Sequence, residues 1–295
     1  MSWKYFHSSI KGTSHIENNT EKQDSCLAEN FSFNNNSYLV CAVADGAGSA
    51  KYSDLSSKFI CKLFNKKAKN WLKNNELEDL NREIISSWFS DFQKVINRAV
   101  AIYKLESSRD FATTLLFAIL SDNLNAFIQI GDGIIAINED SELSCAFLPQ
   151  NGEFINTTNF ATQKNVFDLF EFKLVQKPIK KLAMHTDGIE QIAFDFKNQK
   201  PFSSFYVPFF GALEKMNDDG YSEFLSQKLG EFLASSRVNS KTDDDKTLLL
   251  ALRSDIVEEK EPENKTESKE SNSFLETFIL KCTQKGWKVK TNEKQ

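Results

Sequence analysis

The pattern of apolar and polar positions predicts strands and helices in separate blocks along the first 256 residues. A strand-like opening segment precedes two apolar runs, DSCLAENFSF and SYLVCAVAD, which the turn NNNS joins as a pair of strands. From Tyr52 onward, apolar residues recur every three or four positions. This spacing predicts an amphipathic helix over 52–72 and a second one, with a stronger pattern, over 80–105.

Strands resume after residue 110, and helices return only near the end of this region. Short apolar runs separated by turn residues predict strands at 111–120, 124–132, 133–140, 141–148, 166–175, 180–188 and 246–253. Two further helices are expected at about 205–216 and 221–235. A doubly wound nucleotide-binding fold alternates strand with helix, and this order does not. We therefore expect an α+β domain with mainly antiparallel sheets.

The chain changes character after this domain, which we place at residues 1–256. Residues 257–273 carry six acids against three lysines and few apolar residues, which predicts a charged, disordered linker. Residues 274–295 regain apolar character and a positive balance. This C-terminal segment is either a short helix that packs on the domain or a docking segment for a partner.

Composition narrows the class of protein. A net charge of −5 leaves no broad basic face, so no nucleic-acid partner is expected. No apolar run reaches the ~18 residues of a membrane helix, and the N-terminus lacks a signal-peptide pattern. We therefore expect a cytoplasmic protein without a membrane contact. The five cysteines form no CxxC pair, which indicates reduced core thiols.

Candidate chemistry rests on acidic residues at strand ends, because the chain has only three histidines and neither an HExxH nor a GxSxG motif. An Asp ends or precedes an apolar run in five motifs: KQDS, VADGAGSA, IGDG, HTDGIEQ and TDDDKT. One Asp-Gly alone is typical of a turn. Several converging carboxylates need a compensating charge, and Mg²⁺ or Mn²⁺ supplies it to oxygen ligands. A nucleotide-binding loop at 45–50 is disfavoured, because the GxxxxGK[ST] lysine and the GxGxxG spacing are missing.

The motifs VADGAGSA, ATTLLFA, IGDG, HTDGIEQ and DDKTLLL, in this order, resemble the metal-dependent protein phosphatases of type 2C. GTSH at 12–15, QDS at 23–25 and PQNGEFINTTNFAT at 149–162 are similar to the bacterial branch of that family. The resemblance runs from Trp3 to Arg253. It implies a four-layer αββα sandwich, in which two central, mainly antiparallel β-sheets are flanked by pairs of helices.

The resemblance also implies two Mn²⁺ or Mg²⁺ ions and a role for each matching residue. Asp45 bridges the two ions, and the backbone carbonyl of Gly46 binds one of them. Asp187 and Asp244 complete the shell of the other ion. The register of the last motif leaves Asp243 as the alternative to Asp244.

Two further acids of the resemblance have supporting roles. Asp24 acts beside the first ion through coordinated water, and Asp132 helps Asp187 to bind a third, weaker ion. Thr113 and Thr114 of the ATTL motif are expected to pack and hydrogen-bond beneath the site.

Three positions depart from the family pattern. Ala47 stands where eukaryotic members have a histidine thought to act as the general acid, so leaving-group protonation needs another source. His15 takes the place of the usual phosphate-binding arginine, unless it is a plain loop histidine. Gln23 replaces a glutamate, which removes one charge near the metals. His185 lies two residues before Asp187, and packing is its expected role.

The implied function is hydrolysis of phosphoserine or phosphothreonine in proteins by a water activated between the two ions, with no phosphoenzyme intermediate. Asp45 and His15 are the catalytic candidates, and residues 201–219 take the position of the family's mobile flap. The expected partners are a phosphorylated protein and a co-encoded Ser/Thr kinase or its target, and the protein is expected to be a monomer. A catalytically weak or inactive binding module on the same fold remains the alternative.

Overall fold

The computed structural model describes residues 2–34, 36–138, 142–150 and 158–254. The predicted linker 257–273 and C-terminal segment 274–295 lie outside the described residues, so both stay predictions. The strands are β1 Trp3–Ile10, β2 Ser25–Phe33, β3 Asn36–Ala44, β4 Leu115–Leu120, β5 Asn125–Ile130, β6 Ile134–Asn138, β7 Leu143–Cys145, β8 Glu171–Val175, β9 Lys181–His185, β10 Phe194–Asp195, β11 Lys200–Pro201, β12 Gly220–Tyr221 and β13 Lys246–Arg253. The α-helices are α1 Thr13–Glu17, α2 Ser53–Leu72, α3 Arg82–Tyr103, α4 Val166–Leu169, α5 Glu190–Ala193, α6 Ser203–Glu214, α7 Glu223–Leu233 and α8 Ser236–Asn239.

Two sheets form the centre of the molecule. The first sheet has the strand order β12-β1-β13-β9-β6-β7, and the second sheet has the order β2-β3-β4-β5-β8. All neighbours pair antiparallel except β1 and β12, which pair parallel. A buried apolar layer between the sheets takes residues of both, among them Leu39, Cys41 and Val43 of β3 and Leu249 and Ala251 of β13.

The long helices α2 and α3 cover the outer face of the second sheet. Alternate residues of β3, Val40 and Ala42, belong to a core that α2 and α3 complete with Phe64 and Phe89. The α3 helix begins after Asn81, whose side chain accepts hydrogen bonds from the backbone N–H groups of residues 83 and 84 at 3.0 and 3.1 Å. In α2 the buried face also carries Ile60 and Ala68, whereas Leu55, one of the apolar residues at helical spacing, is exposed.

Helices α6 and α7 contact the first sheet, α6 at β13 and α7 at β1. Gly230 of α7 lies so close to β1 that an added Cβ would come within 3.0 Å of the Ser8 hydroxyl. Together with α2 and α3 on the other sheet, these helices give the four layers of an αββα sandwich. The predicted fold class is confirmed. Within the described residues, no helix has the length and apolar character to cross a membrane.

One predicted segment differs from the structure. Residues 166–175 begin as the helical turn α4 and become β8 only at Glu171, because Val166 and Phe170, four residues apart, both point into the core beneath α3. The helix expected at about 205–216 is confirmed as α6, which contacts β13 and buries Tyr206 and Phe210, and the flap role of 201–219 stays a prediction.

Candidate metal centre

Three acidic side chains converge where strands from both sheets end. Asp45 follows β3, Asp132 lies between β5 and β6, and Asp187 begins a 3-10 helix, Asp187–Ile189, after β9. One carboxylate oxygen of each lies within 4.8 Å of the others. The strand-end acids of three separate sequence motifs thus form one group, which we call the open carboxylate group.

The backbone around Asp45 is fixed by the two threonines that precede β4. The Asp45 carbonyl accepts hydrogen bonds from the Thr113 hydroxyl at 2.9 Å and the Thr114 N–H at 2.8 Å. The Thr114 hydroxyl in turn accepts the Asp45 N–H at 2.9 Å. The hydrogen-bonding role predicted for these threonines is confirmed, and it sets the direction in which Asp45 leaves its strand.

Gly46 occupies a position with no room for a side chain. A Cβ added there would lie 2.8 Å from the Gln23 carbonyl oxygen and 2.8 Å from the Ser53 Cβ. Gly46 forms an isolated bridge with Thr113, in which the Ala47 N–H donates to the Ala112 carbonyl at 3.0 Å and the Asp45 carbonyl accepts the Thr114 N–H at 2.8 Å. The bridge therefore does not use the carbonyl of Gly46 itself.

The carboxylates of this group oppose each other's ionisation. Burial, followed by the charges of Asp24, Asp187 and Asp132, raises the pKa of Asp45 well above its ordinary value. Burial, Asp132 and Asp244 raise the pKa of Asp187 to about 7. Burial also raises the pKa of Asp132. All members of the group are acidic, so the group contains no positive charge that would neutralise its carboxylates.

Asp132 is satisfied on one side only. Its Oδ2 atom accepts a hydrogen bond from the Thr158 hydroxyl. Its Oδ1 atom is buried and has no hydrogen-bond partner among the described residues. Buried oxygens are normally paired, so this atom faces a position that a ligand would fill.

Asp24 lies beside the open carboxylate group but is hydrogen-bonded. Its Oδ2 atom accepts the hydroxyls of Thr186 at 2.8 Å and Thr247 at 2.7 Å. Burial raises its pKa to about 6, and the charge of Asp245 adds to the effect. The charge of Asp24 also raises the pKa of Asp45, so the two carboxylates act on each other.

The three consecutive acids at 243–245 separate into different environments. Asp245 is buried and accepts the N–H groups of Gly12 at 2.7 Å, Gln23 at 2.5 Å and Asp24 at 3.2 Å. Its neighbour Asp244 is exposed. Local sequence does not identify Asp245 as the buried member, because its partners lie more than 200 positions away.

The charge of Asp244 reaches the open carboxylate group. It contributes to the raised pKa values of Asp45, Asp132 and Asp187. Asp243 contributes to none of these three and instead accepts the Ser14 N–H with its backbone carbonyl at 2.9 Å. The geometry thus favours Asp244 over Asp243 as the acid near the site.

His15 is fixed by Asp245. Its Nδ1 atom lies 2.8 Å from the Asp245 Oδ1 atom, and its side chain is 12% exposed. One ring nitrogen is thereby engaged with the protein, and the charge of His15 lowers the pKa of Asp244. The residue is neither a solvated loop histidine nor remote from the acids.

His185 has the packing role predicted for it and is fully buried. Its Nε2 atom lies 2.8 Å from the Tyr206 hydroxyl and its Nδ1 atom 2.9 Å from the Thr186 carbonyl oxygen. Burial lowers its pKa to about 4, so the ring is neutral near pH 7. Glu190 had not been predicted: burial, Asp187 and Asp132 raise its pKa to about 8.

Comparison with known proteins identifies relatives that share this sequence and fold. The profile described as Protein phosphatase 2C matches residues 11–234. Serine/threonine-protein phosphatase 3 of Escherichia coli (strain K12) is 32% identical over 254 residues, which cover 85% of this chain and 99% of that protein.

Solved structures share the fold at lower identity. Serine/threonine phosphatase Stp1 from Staphylococcus aureus has a TM-score of 0.55 and 14% identity, over 86% of this chain and 96% of that one. The catalytic domain of the serine/threonine protein phosphatase PstP, in complex with 2 manganese ions, has a TM-score of 0.54 and 15% identity, over 85% and 98%.

The fold and the acid-rich site define a metal-dependent phosphatase of the αββα class. The chain belongs to the protein phosphatase 2C family. This membership confirms the predicted function, metal-dependent hydrolysis of phosphoserine and phosphothreonine in proteins.

Proposed function

We propose that the open carboxylate group is the catalytic metal centre and that it binds two Mn²⁺ or Mg²⁺ ions. The observation that carries the proposal is the convergence of Asp45, Asp132 and Asp187 within 4.8 Å, with pKa values raised by burial and by one another. Asp45 would contact both ions, the Gly46 carbonyl would hold one of them, and Asp187 and Asp244 would hold the other.

The donor set fits hard divalent cations. The ligands offered are carboxylate and carbonyl oxygens, and neither a histidine nor a cysteine joins the group in the described residues. The unpaired Oδ1 atom of Asp132 supports a third, weaker ion shared with Asp187. The manganese-bound PstP structure, which has the same fold, supports the choice of metal.

When bound, such ions supply the positive charge that activates a water and neutralises the oxygens of a phosphoryl group. The protein's own residues position this chemistry. Thr113 and Thr114 fix the backbone of Asp45, and Thr186 and Thr247 fix the carboxylate of Asp24. We propose that Asp24 acts through a water rather than as a direct ligand, since two hydroxyls already occupy one of its oxygens.

His15 is proposed as the contact to the substrate phosphate. Asp245 engages Nδ1, which leaves Nε2 as the available ring nitrogen. A hydrogen-bonded carboxylate orients an imidazole and so fixes the direction in which its other ring nitrogen faces the substrate. A single N–H donor binds phosphate less rigidly than the two-pronged guanidinium of an arginine. We therefore expect substitution of His15 to weaken substrate binding more than turnover.

The side chain at position 47 cannot protonate the leaving group. Ala47 follows Gly46 in the loop and offers no proton donor. Aryl phosphates, whose leaving groups need no protonation near pH 7, are accordingly expected to react faster than alkyl phosphates.

The partners proposed beyond phosphorylated proteins rest on sequence reasoning. A co-encoded Ser/Thr kinase or its target is the proposed source of the substrate, and the protein is proposed to act as a monomer. The free thiols of Cys26, Cys41, Cys61 and Cys145 support a reducing compartment such as the cytoplasm.

The decisive experiment measures phosphate release from a phosphothreonine peptide with Mn²⁺ and with EDTA. Activity is expected only with the metal, and Asp45→Asn is expected to lower turnover at least about a hundredfold. Lys164→Gln, an exposed substitution outside the site, is the matched control. Metal-independent release, or an unchanged rate for Asp45→Asn, would refute the proposal and leave the inactive binding module as the better description.

A further inference from the structure

A groove between the edge of the second sheet and helix α2 has no role in the metal centre. It forms a cavity of about 410 Å³, and its lining includes Leu27, Glu29, Lys62, Asn65, Lys66 and Lys69. Strand β2 supplies one wall and the second half of α2 supplies the other. We call this feature the basic groove.

The basic groove is strongly cationic on a chain whose net charge is −5. Lysines at 62, 66, 69 and 73 line it at helical spacing, against the single acid Glu29. Glu29 pairs with Lys69 at 2.7 Å. The other three lysines are exposed and make no ion pair with any described residue. A row of like charges on one helix face destabilises the helix slightly, so its counter-charge is expected from outside.

The floor of the basic groove carries an unpaired donor. Asn65 is only 2% exposed, and its Nδ2 atom has no hydrogen-bond partner among the described residues. A buried amide without a partner is costly, and a ligand oxygen in the groove would pair with it.

The other wall is an open sheet edge. Strand β2 ends the order of the second sheet, and β3 is its only partner strand within the described part of the chain. One backbone group of β2, the Asn30 N–H, donates to the Tyr5 hydroxyl. The rest of its outer side has no partner strand in the described chain and is available to an added strand. An extended peptide fits this combination better than a nucleic acid, because a strand edge binds peptide backbone and the lysines beside it bind acidic side chains.

We propose that the basic groove docks an extended acidic segment of a partner protein. The segment adds as a strand beside β2 and places carboxylates against Lys62, Lys66 and Lys73. The groove is built from the part of α2 remote from Ser53, where the helix begins next to the metal centre. Docking there selects protein partners without taking part in hydrolysis, so its test is independent of the catalytic proposal.

The experiment uses the full chain and a fluorescein-labelled peptide of about ten residues in which Glu and Val alternate, long enough to follow β2. Fluorescence anisotropy is expected to show binding that weakens with salt. The double substitution Lys62→Glu with Lys66→Glu is expected to weaken binding by about tenfold or more. Asn65→Leu is expected to weaken it several-fold.

The matched control is Lys164→Glu with Lys241→Glu, which makes the same change in net charge at exposed positions outside the groove. Its binding is expected to stay within about twofold of the unsubstituted protein. Mn²⁺-dependent hydrolysis of an aryl phosphate monitors folding and is expected to be equal in both double variants. A peptide N-methylated at alternate residues, which cannot pair as a strand, is expected not to bind.

Four results would overturn the proposal. Three of them are no peptide binding, equal weakening by the groove and control substitutions, and undiminished binding of the N-methylated peptide. A fourth is a larger effect of the groove substitutions on single-stranded RNA or on phosphatidylserine vesicles than on the peptide, which would assign the lysines to a different class of partner.

Discussion

Two sets of strand-end carboxylates, one buried and one partly exposed, behave in opposite ways. Asp245 is surrounded by donors: three backbone N–H groups and the imidazole of His15 contact its two oxygens. Asp45, Asp132 and Asp187 instead face one another. The residue type and the position beside a strand end are the same in both sets. The neighbouring donors decide whether a carboxylate serves as a structural acceptor or as a metal ligand.

The largest effect on stability is expected at Asp245, where the hydrogen-bond donors are most numerous. Asp245→Ala leaves the N–H groups of Gly12, Gln23 and Asp24 buried without an acceptor, and we expect the free energy of unfolding to fall by about 3–5 kcal/mol. Urea unfolding in EDTA measures this quantity. Asp245→Asn, which keeps one acceptor oxygen, should lose less. A loss below about 1 kcal/mol for Asp245→Ala would show that these hydrogen bonds do not define the site.

The next largest effect is the pH dependence of stability that Asp187 and its neighbour Asp24 cause. In the folded protein the pKa of Asp187 is about 7 and that of Asp24 about 6, both above the ordinary value of 3.8. Between about pH 4 and pH 7 the folded state therefore binds more protons than the unfolded state. The stabilisation is therefore complete below about pH 4 and is lost as pH rises through 6 to 7, by a few kcal/mol in all.

Urea unfolding from pH 5 to 8 checks this expectation. With EDTA, the free energy of unfolding should fall as pH rises. Asp187→Asn should flatten that slope, because its amide does not titrate. With Mn²⁺ the slope should reverse, since deprotonated carboxylates bind the ion more tightly at higher pH. Equal slopes with and without Mn²⁺ would contradict the placement of the metal at these acids.

How far the sequence predicts the fold depends on how local each signal is. The helical spacing of Leu55, Phe59 and Leu63 predicted that this segment is a helix. It did not mark the buried face, which carries Ile60 and Phe64, whereas Leu55 is 49% exposed. The apolar run at 166–175 misled, since Val166 and Phe170 fit a strand as well as a buried helical turn. The core beneath α3, formed by distant residues, selects the helix.

The candidate site shows the same limit. Acids after apolar strands were visible as motifs, and the structure brings Asp45, Asp132 and Asp187 together. Nothing local separates Asp244 from Asp245, because the distinction arises when Gly12 and Gln23 pack against one of them. Glu190 was missed for a related reason, since its raised pKa comes from acids outside its own motif.

A smaller effect is expected from removing one charge of the open carboxylate group. Asp45→Asn relieves the repulsion among the acids, and we expect the metal-free protein to gain about 1 kcal/mol of stability while turnover collapses. Thermal unfolding in EDTA and in Mn²⁺ tests this: the variant should unfold at a higher temperature in EDTA and gain little from the metal. Ser57→Ala, which removes a hydroxyl that donates to the Gln23 carbonyl, is the control and should lose stability in both conditions.

The smallest effect concerns Gln23, which lies between the two sets. Its N–H donates to Asp245, while its Oε1 atom is buried without a hydrogen-bond partner in the described chain. Gln23→Glu places a negative charge beside the metal centre, and we expect Mn²⁺ to bind about threefold to tenfold more tightly. Because the new carboxylate gives up the donor that reaches the Ala50 carbonyl at 3.3 Å, the metal-free protein should become slightly less stable.

Isothermal titration with Mn²⁺ measures this change, and Gln23→Met, of similar size and without charge, is the matched control. Gln23→Met should bind the ion no more tightly than the unsubstituted protein. If both variants bound Mn²⁺ equally, charge at position 23 would be irrelevant to the metal. The region whose charge influences the metal would then begin at Asp24 and would not include position 23.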